Sequence, residues 1–371
     1  MSSQAKLLIS SIFLLWELKK FVVKLYKFLF QSLSLIRISQ DGHPYQKQSS
    51  QHKSRGIFQT YFTSMPENNF PFVSVIIPVF NDSERLKLCL EALGEQTYPE
   101  EQYEIIVVDN GSSERIEKAI RPFKQVLVVH EKRPGSYAAR NKGISVARGE
   151  ILAFTDSDCI PAKNWIEMGV KQLLSKPECG LVGGRIEIFF EDPHNPNAVE
   201  LYDSINYLQQ RKYIEEYHFG ATANLFAFKE VFNEVGYFND LLKSGGDMEW
   251  GQRVFSFGYS LLYSDDSYVA HPARKSLVEL HQKLRRISKG HYQMSSFTSE
   301  TEKPFLTKFF GDLSRFKPPL LSIFRKVSSE KRLQNNQQKI QVFCIELMMH
   351  YLTSFEKMRL RLTEMSNNLK K

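Results

Sequence analysis

The sequence predicts an α/β protein of the doubly wound kind, a Rossmann-like, mostly parallel sheet with helices on both faces. Two observations lead there. Between residues 72 and 155, short apolar runs rich in β-branched residues alternate with stretches of helical spacing, the pattern of fully buried strands joined by crossover helices. Three of those runs stop at a polar cluster, Phe80-Asn81-Asp82, Asp109-Asn110 and Asp156-Ser157-Asp158.

Taken in order, Phe72-Val-Ser-Val-Ile-Ile-Pro78 reads as the first strand, and Ser83 to Leu93 as a helix with Leu86, Leu90 and Leu93 on one face. Glu104-Ile-Ile-Val-Val-Asp109 is the second strand, closed by the turn residues Asn110-Gly111. Ser112 and Ser113 are placed to cap a helix over 114–121. Val126 to His130 is a third strand, Ser136 to Ala147 a helix, and Ile151 to Thr155 a fourth strand stopping at Asp156. In such sheets ligands bind beyond the carboxyl ends of the strands, so the three clusters are expected on one rim.

The 371 residues allow one domain of roughly 200–250 residues with appendages. Four cysteines (Cys89, Cys159, Cys179, Cys344) lie far apart, which argues against a zinc site or disulfide framework and fits a reducing cytosol. The net charge of +8 divides sharply, with +6 over residues 1–70, −10 over 71–272 and +12 over 273–371. An acidic middle is a poor partner for nucleic acid, whereas basic ends rich in apolar residues suit an anionic membrane surface. Leu7 to Ile36 is apolar but interrupted by Glu17, Lys20, Lys24 and Lys27. That is too charged to span a bilayer, and it lacks the order of a signal peptide. The expected organisation is therefore an amphipathic helix over 1–38 lying at a membrane interface, a linker over 39–70, an acidic α/β domain over 71–275 and a basic, amphipathic helical region over 276–371.

Two carboxylates one residue apart at a strand end, Asp156 and Asp158, suit a hard divalent cation such as Mg²⁺ or Mn²⁺ shared with substrate phosphates. Asp109 is placed to accept hydrogen bonds from a base or ribose. Arg140, on the helix before the fourth strand, can fork onto a phosphate or pair with a rim carboxylate. His271 can complete a metal shell, and Arg274 can meet phosphate; Trp165 and Trp250 either stack on a sugar or fill the core.

As an ordered set, Val73-Ser-Val-Ile-Ile-Pro-Val-Phe-Asn81, Val107-Val-Asp-Asn-Gly-Ser112, Ala139-Arg-Asn-x-Gly143 and Ala153-Phe-Thr-Asp-Ser-Asp158 resembles the family 2 glycosyltransferases. Phe219-Gly-Ala-Thr-Ala-Asn224, Val231 to Phe238 and Gly245-Gly-Asp-Met-Glu-Trp-Gly-Gln-Arg253 follow in the same order, so the resemblance spans roughly residues 72–275. It implies the GT-A fold and inverting transfer of a sugar from a nucleotide-diphosphate donor, UDP favoured, to a saccharide or lipid-linked saccharide hydroxyl. It implies donor contacts at Pro78, Phe80, Asn81, Asp109, Arg140 and Asp156, and metal contacts at Asp158, Asp156 and His271. The general base falls on Asp247, with Glu249 its rival. Gly246 departs from the family, where an acidic residue is common, and leaves open how the acceptor is gripped. A sugar-1-phosphate nucleotidyltransferase and a non-catalytic scaffold of a membrane polysaccharide assembly are the competing functions. The expected location is cytoplasmic, peripheral at the inner face of a membrane.

Overall fold

The apolar runs form strands because continuous β-branched sequence is stable only where both sheet faces are covered. The computed structural model describes residues 70–123, 125–297, 311 and 316–368; the expected helix over 1–38 and the linker up to residue 69 lie outside them. In chain order the elements are β1 (Val73–Val79), α1 (Ser83–Leu93), β2 (Tyr103–Asp109), α2 (Glu117–Ile120), β3 (Val126–His130), α3 (Ser136–Val146), β4 (Ile151–Thr155), β5 (Ile160–Pro161) and α4 (Trp165–Leu173). There follow β6 (Cys179–Phe189), α5 (Ala198–Asn206), α6 (Gln210–Tyr217), β7 (Asn224–Phe228), α7 (Lys229–Val235), α8 (Gly246–Ser256), β8 (Ser260–Pro272), α9 (Leu277–Phe297), α10 (Leu320–Ser329) and α11 (Asn336–Asn368).

One sheet runs in the order β3-β2-β1-β4-β7-β6-β8-β5. β1 pairs in parallel with β2 and β4, and β2 with β3. Beyond β4 the sheet is mixed: β7 is antiparallel to both β4 and β6, and β8 runs parallel to β6. The sequence pattern anticipates the parallel half but not β6, β7 or the long β8. Glycines at 180, 183 and 184 thin the apolar pattern of β6. Each is close-packed: a Cβ at Gly183 would meet Ile214, and one at Gly184 would meet the Asn224 amide.

Helices cover the sheet as the spacing requires. Leu86, Leu90 and Leu93 of α1 are fully buried, each contributing roughly 1.5–3 kcal/mol by leaving water. α3 lies so close to β1 that a Cβ at Gly143 would stand 2.5 Å from Ile76 Cγ2, which explains the glycine three residues after Arg140. Trp165 and Trp250 are completely buried. The Trp165 indole N–H donates to Asn224 Oδ1 at 2.9 Å, and Trp250 stacks on Phe232 with ring centroids 4.2 Å apart. Both are core residues, which removes the sugar-stacking alternative.

The expected helix over 114–121 shrinks to α2, with no side-chain cap. Ser112 and Ser113 are engaged elsewhere. Asn81 N–H donates to Ser112 Oγ at 2.9 Å, and Asn81 Oδ1 accepts from Ser113 N–H at 2.7 Å. The serines thus staple the β2 loop to the β1 loop instead of starting a helix. α9, α10 and α11 bury small apolar clusters against α5, including Leu201, Ile323 and Val342 in one and Tyr202, Leu280 and Met349 in another.

Candidate active site

The register brings the rim together. Val79 pairs with Asp109, and Asp109 with His130, so β1, β2 and β3 end level. β5 pairs Ile160 with Ala270, which carries Asp158, two residues upstream, to the side of His271. A contact over more than a hundred residues therefore rests on a two-residue antiparallel strand.

At the β1 end, Pro78 is half-buried in the last but one position, Phe80 projects with 61% exposure, and Asn81 adopts φ 51°. The Asn81 side chain is engaged by Ser113, so it shapes the loop and leaves Phe80 as the free face. Asp109 Oδ1 accepts from Ser112 N–H at 2.9 Å, and its Oδ2 lies 3.2 Å from His130 Nδ1. Asn110 anchors the approach to α3: its amide donates to Glu131 and Arg133 carbonyls and accepts from Gly135 N–H.

Arg140, 3% exposed, bonds the Asp156 carboxylate through Nη2, while its buried Nε has no partner among the described residues. Asp158 lies beside two basic groups. Its Oδ2 is 3.6 Å from Arg85 Nη1, and its Oδ1 is 3.7 Å from His271 Nε2. Arg85 is held in turn by Asp82, which also accepts from Ser157 Oγ at 3.1 Å. Neither Arg85 nor Asp82 was assigned a ligand role from sequence, although Asp82 closes the β1 cluster and Arg85 stands within one turn of it. A cavity of about 230 Å³ opens here, lined by Arg85, Leu88, Asp158, Ile160 and Phe189.

The histidine tautomer is fixed by its other nitrogen. His271 Nδ1 is 2.8 Å from the Pro272 carbonyl, which can only accept, so Nδ1 carries a proton, and in the neutral ring Nε2 then presents a lone pair to Asp158. Two lone-pair groups 3.7 Å apart fit one cation, since ligands each about 2.1 Å from Mg²⁺ lie at most about 4.2 Å apart. A ring N–H held by a backbone carbonyl is also how metal-bound histidines are oriented. Cys159 shares the cluster, but burial first, and then the charges of Asp158 and Asp156, push its thiol well above its ordinary value. Sulfur is also a soft ligand, ill matched to a hard cation such as Mg²⁺ or Mn²⁺.

Asp247 and Glu249 occupy the first turn of α8 and differ in their surroundings. Asp247 Oδ1 accepts from Tyr137 Oη at 3.0 Å and from Met248 N–H at 3.0 Å. Burial raises its pKa, opposed by the Tyr137 hydrogen bond and the Arg140 charge. Glu249 instead makes a two-pronged pair with Arg253, Nε to Oε1 at 3.0 Å and Nη2 to Oε2 at 3.1 Å. Arg253 also donates to the Val235 and Tyr237 carbonyls. Glu249 thereby holds Arg253 in place as a clamp between α8 and the end of α7. Tyr137 was not singled out from sequence; the available signal was its place one turn before Arg140 on the same helix. Arg274, expected to meet phosphate, is held by buried Asp203 at 3.2 Å, with Lys283 3.7 Å from the same carboxylate.

The sequence model described as Glycosyl transferase family 2 matches residues 74–236. The chain is 41% identical over 232 residues to glycosyltransferase AglE of Haloferax volcanii, covering 61% of this chain and 75% of that protein. It is 25% identical over 245 residues to the chondroitin synthase of Pasteurella multocida, covering 56% of this chain and 25% of that one. Among solved structures, mannosyltransferase PcManGT of Pyrobaculum calidifontis, in complex with GDP-Man and Mn²⁺, superposes with a TM-score of 0.50 at 18% identity, covering 79% of this chain and 92% of that chain.

Proposed function

This chain belongs to glycosyl transferase family 2, and from that premise we propose that it moves a sugar from a nucleotide-diphosphate donor to an acceptor hydroxyl by a single inverting displacement. The observation that carries the reading is the division of acids on the rim. Asp156 and Asp158 are engaged by Arg140, Arg85 and His271, whereas Asp247 has neutral hydrogen-bond donors and no ion pair among the described residues.

Asp158 and His271 would hold Mg²⁺ or Mn²⁺, with Asp156 beside them under the hand of Arg140. When bound, the ion supplies positive charge to the diphosphate leaving group. Phe80 offers its exposed ring to the base, Asp109 its carboxylate to the nucleoside, and Pro78 and Asn81 set the loop between them. The acceptor oxygen attacks the anomeric carbon as the bond to the diphosphate oxygen breaks. Its proton passes to Asp247, whose Oδ1 is occupied by Tyr137 and Met248, leaving Oδ2 to receive it. Glu249, clamped by Arg253, serves the fold. UDP-sugars are the favoured donors on the family resemblance; the GDP-Man of PcManGT makes GDP-sugars the second choice.

Among the described residues no helix is long and apolar enough to cross a membrane. The acceptor is a saccharide or lipid-linked saccharide, and the enzyme works peripherally at a membrane surface. Leu320, Leu321 and Phe324 of α10 support this, exposed at 50%, 61% and 59% and flanked by Lys317 and Arg325. The domain limits follow: catalysis in 71–275, with surface attachment in 1–38 and 276–371. The test is a screen of UDP- and GDP-sugars with Mg²⁺ or Mn²⁺ that reads the released nucleotide. Free nucleoside diphosphate is expected; pyrophosphate release would point to a nucleotidyltransferase and sink the reading.

A further inference from the structure

We infer that Tyr137 is the positioning residue of the base, its hydroxyl holding the Asp247 carboxylate, and that position 246 is glycine because the Tyr137 ring stands where a side chain would. The inference rests on the reading of Asp247 as base and adds how that base is held.

The geometry has three parts. The Tyr137 hydroxyl lies 3.0 Å from Asp247 Oδ1. A Cβ built on Gly246 would lie 2.8 Å from Cδ2 and Cε2 of the same ring, too close for any side chain unless the ring moves. The ring has little room to move. Tyr137 is 6% exposed and packs on Phe238 with centroids 5.8 Å apart. The N-terminus of α3 is tied down where Asn110 Oδ1 accepts from Gly135 N–H at 2.7 Å and Lys243 Nζ donates to the Pro134 carbonyl at 2.9 Å. An acidic residue is common at position 246 in the resembling family. Here the space it would occupy is filled from α3, and a phenol takes the place beside the base.

Tyr137 also joins the two halves of the site. It lies three residues before Arg140, so one turn of α3 meets Asp247 with its first side chain and Asp156 with its second. The phenol acts only as a donor: burial, and then the Asp247 charge, push its pKa far up, so it keeps its proton across the working range. Asp247 is raised by burial and lowered by this hydrogen bond and by Arg140. The other titratable groups that feel it are Tyr213 on α6 and His291 on α9. Deleting the hydroxyl removes a lowering influence, so Asp247 rises further and the onset of its ionisation moves to higher pH. One hydrogen bond of ordinary strength corresponds to about one pH unit, or about tenfold in the ratio of ionised to protonated carboxyl.

The experiment compares wild type, Tyr137→Phe and Asp247→Asn, each as the full chain, by pH–rate profile and by separate kcat and donor KM. Tyr137→Phe is expected to move the acid limb of kcat up by about one unit, so that kcat falls about tenfold at pH values on that limb, and to leave donor KM within about twofold. An unmoved acid limb, or a loss appearing in donor KM with the limb in place, would overturn the inference and reduce Tyr137 to a packing residue. Should Asp247→Asn turn over normally, the base reading itself fails, an outcome distinct from either. Unchanged nucleotide affinity in Tyr137→Phe shows that the variant is folded. Should it not fold, Gly246→Ala in the wild-type background carries the same test: the added Cβ displaces the ring, and an unmoved acid limb there overturns the inference equally.

Discussion

His271 Nε2 faces Asp158 Oδ1 across 3.7 Å, and in the neutral ring, with Nδ1 donating to the Pro272 carbonyl, neither atom carries a proton. Their alignment depends on β5, which pairs Ile160 with Ala270. A cation shared between them is the simplest completion of the pair. Chelation is therefore expected to abolish transfer and Mn²⁺ or Mg²⁺ to restore it. His271→Ala should raise the Mn²⁺ concentration giving half-maximal activity by at least about tenfold; a titration curve unchanged from wild type would remove His271 from the ligand set.

Glu249 and Asp247 are two residues apart and separate cleanly by their partners. Glu249→Gln breaks a bidentate pair that is partly exposed, 26% for Arg253 and 30% for Glu249. The loss should be about 0.5–1 kcal/mol of stability, read as a lower midpoint in denaturant, with kcat within a few-fold of wild type. A collapse of kcat at unchanged stability would exchange the roles assigned to the two acids.

Gly143 tests the packing that positions Arg140. Alanine there would drive a methyl to 2.5 Å from Ile76 Cγ2, and overpacking of this kind costs about 1–3 kcal/mol. Thermal unfolding of Gly143→Ala should show the loss, together with weaker nucleotide binding as α3 is pushed off β1. An unshifted midpoint would mean that the α3–β1 contact is looser than described.

Attachment to a surface is tested on α10. Leu321→Glu with Phe324→Glu introduces two charges on a face that is exposed already, so the fold should hold. Flotation with anionic vesicles should fall at least several-fold and weaken further with salt. Equal flotation of wild type and variant would place the contact elsewhere on the chain.

How much of this was legible in the sequence depends on how local the cause is. β1, β2 and β4 could be read because strands buried on both faces leave an unbroken apolar run, and the acids past their ends then fall on one rim. β6 could not, because its glycines answer to Ile214, Asn224 and Val254, residues distant in the chain. Ser112 and Ser113 look like caps in isolation; the Asn81 loop, unseen from sequence, captures them. Arg274 looks free until Asp203, 71 residues upstream, is found buried against it. Tyr137 was overlooked for the same reason, since its partner Asp247 lies 110 residues away.

The central claim is that Asp247 takes the proton of the acceptor while the rim acids serve the donor. Asp247→Asn keeps the shape and the hydrogen-bonding oxygen and removes the charge. Measured with a donor that the wild type uses, its nucleoside diphosphate release should fall by about 10²–10⁴-fold, with nucleotide affinity and Mn²⁺ dependence unchanged. Release at the wild-type rate would contradict the account and place the base elsewhere on the rim.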